Sequence, residues 1–194
     1  MSEAIPLENL LPIEDFKPQP KPRSLKVLLG KSENRKTEHN YFIKDLEEIR
    51  LVGFRVLCEG DKYQEEIPKA ANLLHRRTDE IKHVLNSGKQ IGAFIVEEFP
   101  SEKDGYWVSV QVSKYEDIPK DMVSLTVPPQ KYAITLHQGH KHLIRKSHER
   151  LQEWLIRKRI KSANDCWNLE FYQQFEINEN VPDDLEVVLY NSIY

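Results

Sequence analysis

The spacing of hydrophobic and polar positions changes along the chain and predicts a strand followed by a helix. Residues 48–57 are rich in β-branched and aromatic side chains, which is typical of a strand. Over residues 67–85, apolar side chains recur every three or four positions, as they do on the buried face of a helix. This spacing places Pro68 in the first turn of the helix, where proline is tolerated, and Gly88 just beyond its end.

The next segments predict two strands and then a return of the same order. Residues 91–97 and 106–113 predict strands, and residues 100–105 have the composition of a hairpin turn. Residues 115–124 predict a loop, after which the pattern begins again. The elements predicted after the loop are a strand over 131–137, a helix over 140–159, and strands over 167–173 and 185–193.

Strand–helix–strand–strand therefore occurs twice, about eighty residues apart, and this predicts an internal duplication. In each half, a helix covers one face of a small sheet. Two such halves joined through their sheets leave a cleft between them, where a ligand can bind. The sequence thus predicts an α+β fold of two pseudo-symmetric halves with a central ligand cleft.

The first 40 residues differ from the remainder and predict an extended arm. Five of the eleven prolines lie in the first 22 residues, which disfavours both helices and strand ladders. Residues 25–29 could pair as a short strand, and residues 31–40 form a polar linker. We therefore divide the chain into an arm over 1–40 and a ligand-binding domain over 41–194.

Composition narrows the class of protein without defining its function. A chain of 194 residues suits one domain with an appendage, and a net charge of -3 gives no general attraction to nucleic acid or to anionic membranes. We find neither an apolar run of membrane-spanning length nor a secretory signal, and the two cysteines match no metal or redox spacing. We expect a cytoplasmic protein without a cofactor; the oligomeric state stays open.

Five segments in register resemble the DNA-gyrase-inhibitor-like (GyrI-like) small-molecule-binding family. They are IPKDMV at 118–123, TVPPQKYA at 126–133, HQG at 137–139, LQEWL at 151–155 and LEFY at 169–172. The resemblance implies a standalone version of a fold that also forms the effector domain of multidrug-responsive transcription activators. Other members sequester toxins, and one branch hydrolyses cyclopropane-bearing alkylating toxins. The arm resembles no DNA-binding domain, which argues against a transcription activator.

The resemblance also assigns the central pocket glutamate of the family to Glu170. Alternation along the strand places Asn168, Glu170 and Tyr172 on one face, toward the cleft. We expect the opposite, apolar face to pack on the second helix. A carboxylate among aromatic rings can hold an organic cation, and burial could raise its pKa enough for acid–base catalysis. The alternative is an exposed glutamate paired with a lysine.

Four residues on other strands are further candidates for the pocket wall. Trp107 shares a strand face with Ser109 and Gln111, so its surroundings are polar rather than aliphatic. Tyr132 is a weaker candidate because it alternates with aliphatic residues. For both aromatic residues, the alternative role is packing in the core.

Histidines and basic residues near the second helix suggest two other sites that we do not favour. His137, His140 and His142 are close in sequence, but helix capping explains them better than a metal. The basic residues of segment 141–161 could contact phosphates, but a solvated helix face explains them better.

Two functions compete on these residues. The first is a binding module for lipophilic, cationic or aromatic molecules, with charge from Glu170 and a sensor or sequestering role. The second is a hydrolase of cyclopropane-bearing toxins, with Glu170 as the catalytic carboxylate. A third possibility is an interaction protein that docks its arm or basic helix on a partner.

Overall fold

The computed structural model describes residues 41–96, 104–173 and 184–194. The predicted arm, its strand at 25–29 and most of the hairpin at 100–105 lie outside these ranges. In chain order, the elements are β1 (Phe42–Leu46), β2 (Ile49–Val56), α1 (Tyr63–Arg77), β3 (Gln90–Phe94), β4 (Tyr106–Val112), β5 (Val123–Val127), β6 (Gln130–His140), α2 (Ile144–Lys158), β7 (Asn168–Tyr172) and β8 (Asp184–Ile193). Among the described residues, no helix is both long enough and apolar enough to cross a membrane.

The eight strands form one antiparallel sheet in the order β1-β6-β8-β7-β3-β4-β2-β5. The order confirms the predicted duplication, since β2-α1-β3-β4 and β6-α2-β7-β8 take equivalent positions on either side of the sheet centre. Both helices have 15 residues, and their first residues, Tyr63 and Ile144, are 81 positions apart. At the centre β3 pairs with β7, and Gly92 lies opposite Glu170. The approximate two-fold axis therefore passes beside Glu170.

The two halves exchange their outermost strands, and this exchange curls the sheet. β1 precedes the first half but pairs with β6, whereas β5 precedes the second half and pairs with β2. In a flat sheet β1 and β2 would be six strand spacings, about 29 Å, apart. The three Cα steps from Leu46 to Ile49 span at most about 11 Å. The sheet must therefore bend until its two edges lie close together.

Sequence reasoning missed both exchanged strands. Neither was predicted, and the predicted loop over 115–124 was wrong at its end, where Val123 and Ser124 belong to β5. Each strand has five residues and lies at a sheet edge. Polar, exposed residues such as Ser124 hide the strand pattern there.

Curling gives the sheet an apolar interior to which neither helix contributes. Residues from all eight strands meet there, including Leu51, Tyr132, Phe171 and Tyr190, and Trp107 packs edge-to-face on Trp167 with ring centroids 5.0 Å apart. We predicted that the apolar face of β7 packs on α2, and this was wrong. Leu169 and Phe171 lie in the strand interior.

The helices cover the other face of the sheet. Ala71 and Leu74 of α1 pack against β2 and β4, and Leu151 and Leu155 of α2 pack against β6 and β8. The face of β7 that carries Glu170 is therefore the face that the helices cover.

Helix α1 is shorter than predicted. It ends at Arg77, a short 3-10 turn follows, and Ile81 is extended, with φ -89° and ψ 124°. The chain then runs beside β4, where Val84 pairs with Val112. The apolar spacing continues past the end of the helix because Ile81 packs in the same buried cluster as Ala71 and Leu74. Pro68 is the sixth residue of α1 and lies in its second turn, not its first.

Candidate functional site

A large cavity lies between α1 and α2, above the central strands. Its volume is about 1190 Å³, at or slightly above the upper end of the range usual for small-molecule sites. Much of its wall is aromatic or aliphatic, with Tyr63 and Ile67 from α1, Ile144 from α2, and Phe94 and Tyr106 from the sheet. This is the cleft that the duplicated sequence predicts.

Glu170 lies in the wall of this cavity, only 6% exposed. Its Oε2 accepts hydrogen bonds from the hydroxyl of Tyr106 at 2.6 Å and from that of Tyr172 at 2.9 Å. Its Oε1 lies 3.0 Å from Nε2 of His148. Burial acts to raise the pKa of the Glu170 carboxyl, but His148 and the two phenols outweigh it, and the pKa is lowered. The buried carboxylate is therefore ionised.

The two phenols remain protonated beside this charge. Burial, followed by the neighbouring Glu170 carboxylate, raises the pKa of Tyr106 and that of Tyr172 well above their usual value. Both hydroxyls therefore keep their proton and can each donate a hydrogen bond to Glu170. The ring of Tyr106 also stacks on Phe94, with centroids 5.9 Å apart.

Gly92 makes room for the Tyr106–Glu170 hydrogen bond. It pairs with Glu170 across β3 and β7, and with Val108 across β3 and β4. A Cβ atom added at Gly92 would lie 1.8 Å from the Tyr106 hydroxyl oxygen and 2.5 Å from its Cζ. Only glycine lets the phenol cross β3 to reach the carboxylate.

His148 and Asn191 extend the hydrogen-bond network onto α2 and β8. Nδ1 of His148 lies 2.7 Å from Oδ1 of Asn191. The imidazole also contacts Phe94 edge-on, with centroids 5.7 Å apart. One helix residue is therefore held between two strands.

The structure brings three of the predicted site residues to the cavity. Asn168, Glu170 and Tyr172 line it together. The side-chain Oδ1 of Asn168 is engaged within the fold, because it accepts a hydrogen bond from the backbone N–H of Ser192 at 2.8 Å.

The other four predicted site residues are not among those that line the cavity. They are Trp107, Ser109, Gln111 and Tyr132. The Trp107 face turns into the curled interior, while Tyr106, one residue earlier, lines the cavity. Ser109 donates its hydroxyl to the Ile91 carbonyl at 2.8 Å. Tyr132 packs on Tyr190 at 5.6 Å.

Sequence reasoning missed most of the cavity residues. Among them are Gln90, Tyr106, His148 and Asn191. Tyr106 alternates with three valines, which made its face look purely aliphatic. His148 had a usable signal, since it lies four residues after Ile144 and so belongs to the buried side of α2.

The three histidines considered as metal ligands lie at the end of β6 and in the turn before α2. His137 is buried and its Nδ1 lies 2.8 Å from Oγ of Ser147. His140 and His142 lie with ring centroids 3.9 Å apart at the turn before α2. Within the described ranges no cluster of three or more His, Cys, Asp or Glu side chains could hold a metal.

A duplicated fold with a large cavity between its two helices has the architecture of a protein that can hold a small molecule. The model of the family described as Cass2, integron-associated effector binding protein, matches residues 42–193. The chain belongs to this family, which is part of the GyrI-like family. No curated protein matches the sequence closely enough to be counted as a relative.

Three solved structures have a similar fold at low sequence identity. SAV2435 bound to tetraphenylphosphonium is 16% identical, covers 80% of this chain and 94% of its own, and has a TM-score of 0.60. EcmrR in a DNA complex is 13% identical over 82% of this chain and 59% of its own, with a TM-score of 0.61. A putative bacterial transcription regulation protein from Staphylococcus aureus MU50 is 15% identical. The match covers 79% of this chain and 97% of that protein, with a TM-score of 0.55.

Proposed function

We propose that this chain binds lipophilic, cationic or aromatic small molecules in the cavity between α1 and α2, with Glu170 as their charge partner. The observation that carries the proposal is a buried, ionised carboxylate in the wall of a large aromatic cavity. A sensor or a sequestering protein would need such a site.

The surroundings of Glu170 suit a hydrophobic cation. A carboxylate is costly to bury even when hydrogen bonds satisfy its oxygens, and a ligand that brings positive charge into the cavity offsets part of this cost. The rings of Phe94, Tyr106 and Tyr172 lie beside it and can supply cation–π attraction. The similarly folded SAV2435 is described with tetraphenylphosphonium, a lipophilic cation, and this agrees with the proposal.

The ionised state of Glu170 favours binding over the hydrolase alternative. Opening a cyclopropane ring by general acid catalysis needs a carboxyl proton, and the lowered pKa of Glu170 means that this proton is absent near neutral pH. As a base, the carboxylate is already occupied by two phenols and His148. A hydrolase would therefore have to free one oxygen of Glu170 from these partners before the carboxylate could activate water, and turnover would reveal it.

The test compares wild type with Glu170→Gln by calorimetric titration of tetraphenylphosphonium. We expect the Kd to rise roughly tenfold to a hundredfold in the variant, because a charge-assisted contact contributes about 1.5–3 kcal/mol. Glu186→Gln is the matched control, since it makes the same change on β8, where Glu186 accepts a hydrogen bond from exposed Gln138. Equal affinity in wild type and Glu170→Gln contradicts the proposal.

Turnover is measured in parallel with cyclopropane-bearing alkylators and chromatographic detection of product. Product beyond one equivalent, lost in Glu170→Gln, would establish the hydrolase instead. The interaction-protein alternative predicts that removing residues 1–40 weakens binding to the partner, while Glu170→Gln leaves that binding unchanged.

A further inference from the structure

His148 is the basic side chain that contacts Glu170 from within the chain. Its Nε2 lies 3.0 Å from Oε1 of Glu170 and its Nδ1 lies 2.7 Å from Oδ1 of Asn191. Both partners present oxygen atoms, which accept hydrogen bonds, so the imidazole satisfies the two contacts together when each ring nitrogen carries a proton. An imidazole with two N–H groups is a cation.

The other ionisable groups around His148 come from several elements. Those that line the cavity with it, or act on it through space, are Tyr63 of α1, Tyr106 of β4, His137 of β6, Arg145, Glu149 and Glu153 of α2, Glu170 and Tyr172 of β7, Lys141 and His142 before α2, and Asp104 before β4. Arg145 and Glu149 pair with each other at 3.2 Å. Of the ordinary side chains, only histidine changes charge between pH 5 and 8, so His137 and His142 are the relevant comparisons.

Those two histidines are poor partners for a ligand at Glu170. Burial lowers the pKa of His137 on balance, although hydrogen bonds from the ring to the backbone and the Glu170 carboxylate act to raise it, and its Nδ1 is engaged by Ser147. His142 is exposed at the cavity rim and its backbone N–H contacts His140. His148 is the only described histidine in hydrogen-bond contact with the Glu170 carboxylate.

When His148 is protonated, a cationic ligand at Glu170 meets a site whose charge is already balanced. Two positive charges beside one buried carboxylate repel each other strongly where the dielectric is low. We propose that His148 is the resident counter-ion of Glu170, and that a cationic ligand is bound in exchange for the His148 proton, which leaves to solvent. This inference rests on the proposed function and adds to it: the protonation state of His148 sets which ligand charge the cavity accepts.

The exchange predicts that cation binding tightens as pH rises. Where His148 is protonated in the free protein, releasing one proton per ligand makes the affinity rise by up to about tenfold per pH unit. Tetraphenylphosphonium is a suitable probe because its own charge does not change with pH. A neutral aromatic molecule such as triphenylphosphine oxide needs no exchange, and its affinity should not rise with pH.

The experiment titrates the full chain with tetraphenylphosphonium from pH 5 to 8, in buffers of different ionisation enthalpy so that released protons are counted. We expect release approaching one proton at acidic pH in wild type. In His148→Gln we expect no release, a flat pH profile, and cation binding at pH 5 at least tenfold tighter than in wild type. His142→Gln is the control and should behave as wild type.

Each outcome supports or overturns the inference. An affinity for tetraphenylphosphonium that does not change with pH in wild type would overturn the exchange, and so would an unchanged pH dependence in His148→Gln. In either case Glu170 remains the charge partner if Glu170→Gln still weakens binding. If His148→Gln is poorly folded, the proton count in wild type alone decides, since the absence of release is sufficient to reject the exchange. Failure of the cation to bind wild type at any pH would overturn both this inference and the proposed function.

Discussion

Gly92→Ala tests the geometry on which the site depends. The new Cβ would lie 1.8 Å from the Tyr106 hydroxyl oxygen, whereas an ordinary contact between carbon atoms is about 3.5–4.0 Å. The phenol must therefore retreat by well over 1 Å, and its 2.6 Å hydrogen bond to Glu170 is lost. A hydrogen bond to a charged group contributes about 1.5–3 kcal/mol, and overpacking costs about 1–3 kcal/mol.

We expect Gly92→Ala to lower the free energy of unfolding by about 2.5–6 kcal/mol, the sum of these two contributions, measured by urea denaturation. Gly60→Ala is the matched control, because a Cβ there would have no atom within 4 Å. In a Tyr106→Phe background the hydrogen bond is already absent, so the same glycine substitution should cost less than it does in wild type.

Two results would refute this reasoning. A Gly92→Ala variant as stable as Gly60→Ala would show that the phenol is not confined by β3. An additive cost in the Tyr106→Phe background would show that Gly92 does not act through the hydroxyl.

Two further predictions follow from the burial of Glu170 and from the position of Trp107. Because the folded-state pKa of Glu170 is lowered, its ionisation stabilises the fold fully above the unfolded-chain value of about 4.3, and this stabilisation is lost as pH falls through the folded value. The stability difference between wild type and Glu170→Gln, measured by denaturation from pH 3 to 7, should therefore shrink toward acidic pH; a growing difference would mean that burial dominates. Trp107→Phe should reduce stability by about 1–3 kcal/mol but leave the Kd for tetraphenylphosphonium unchanged, since Trp107 lies in the strand interior; a weaker Kd at unchanged fold would contradict that placement.

The sequence predicted the duplication and the face of Glu170, because both depend on periodicity. Alternation in a strand is enough to place Asn168 and Tyr172 beside Glu170. Helix spacing is enough to place one covering helix in each half.

Alternation could not show which face of β4 meets the ligand. All seven residues of that strand are buried, so each face packs against something. The polar residues Ser109 and Gln111 suggested a cavity, but they lie on the interior face of a curled sheet. Curling depends on the exchange of β1 and β5, which is a long-range pairing that local patterns do not reveal.

The network around Glu170 was also beyond local patterns. Tyr106, His148 and Asn191 are more than 40 positions apart from one another in the sequence. Only the folded chain brings them into one hydrogen-bond network. Only the family resemblance selected Glu170 from among the other charged strand residues.

The exchange of edge strands also makes the two halves mutually dependent as folding units. Each half completes its sheet with a strand that belongs, by chain position, to the other half. A fragment ending before residue 123 would lack the strand that covers β2, and the complementary fragment would lack the one that covers β6. We therefore expect the described domain to unfold in one cooperative transition, and the separated halves to acquire structure only when mixed. A duplicated ancestor could have gained this interdependence by swapping a single strand in each direction, after which neither copy could be lost.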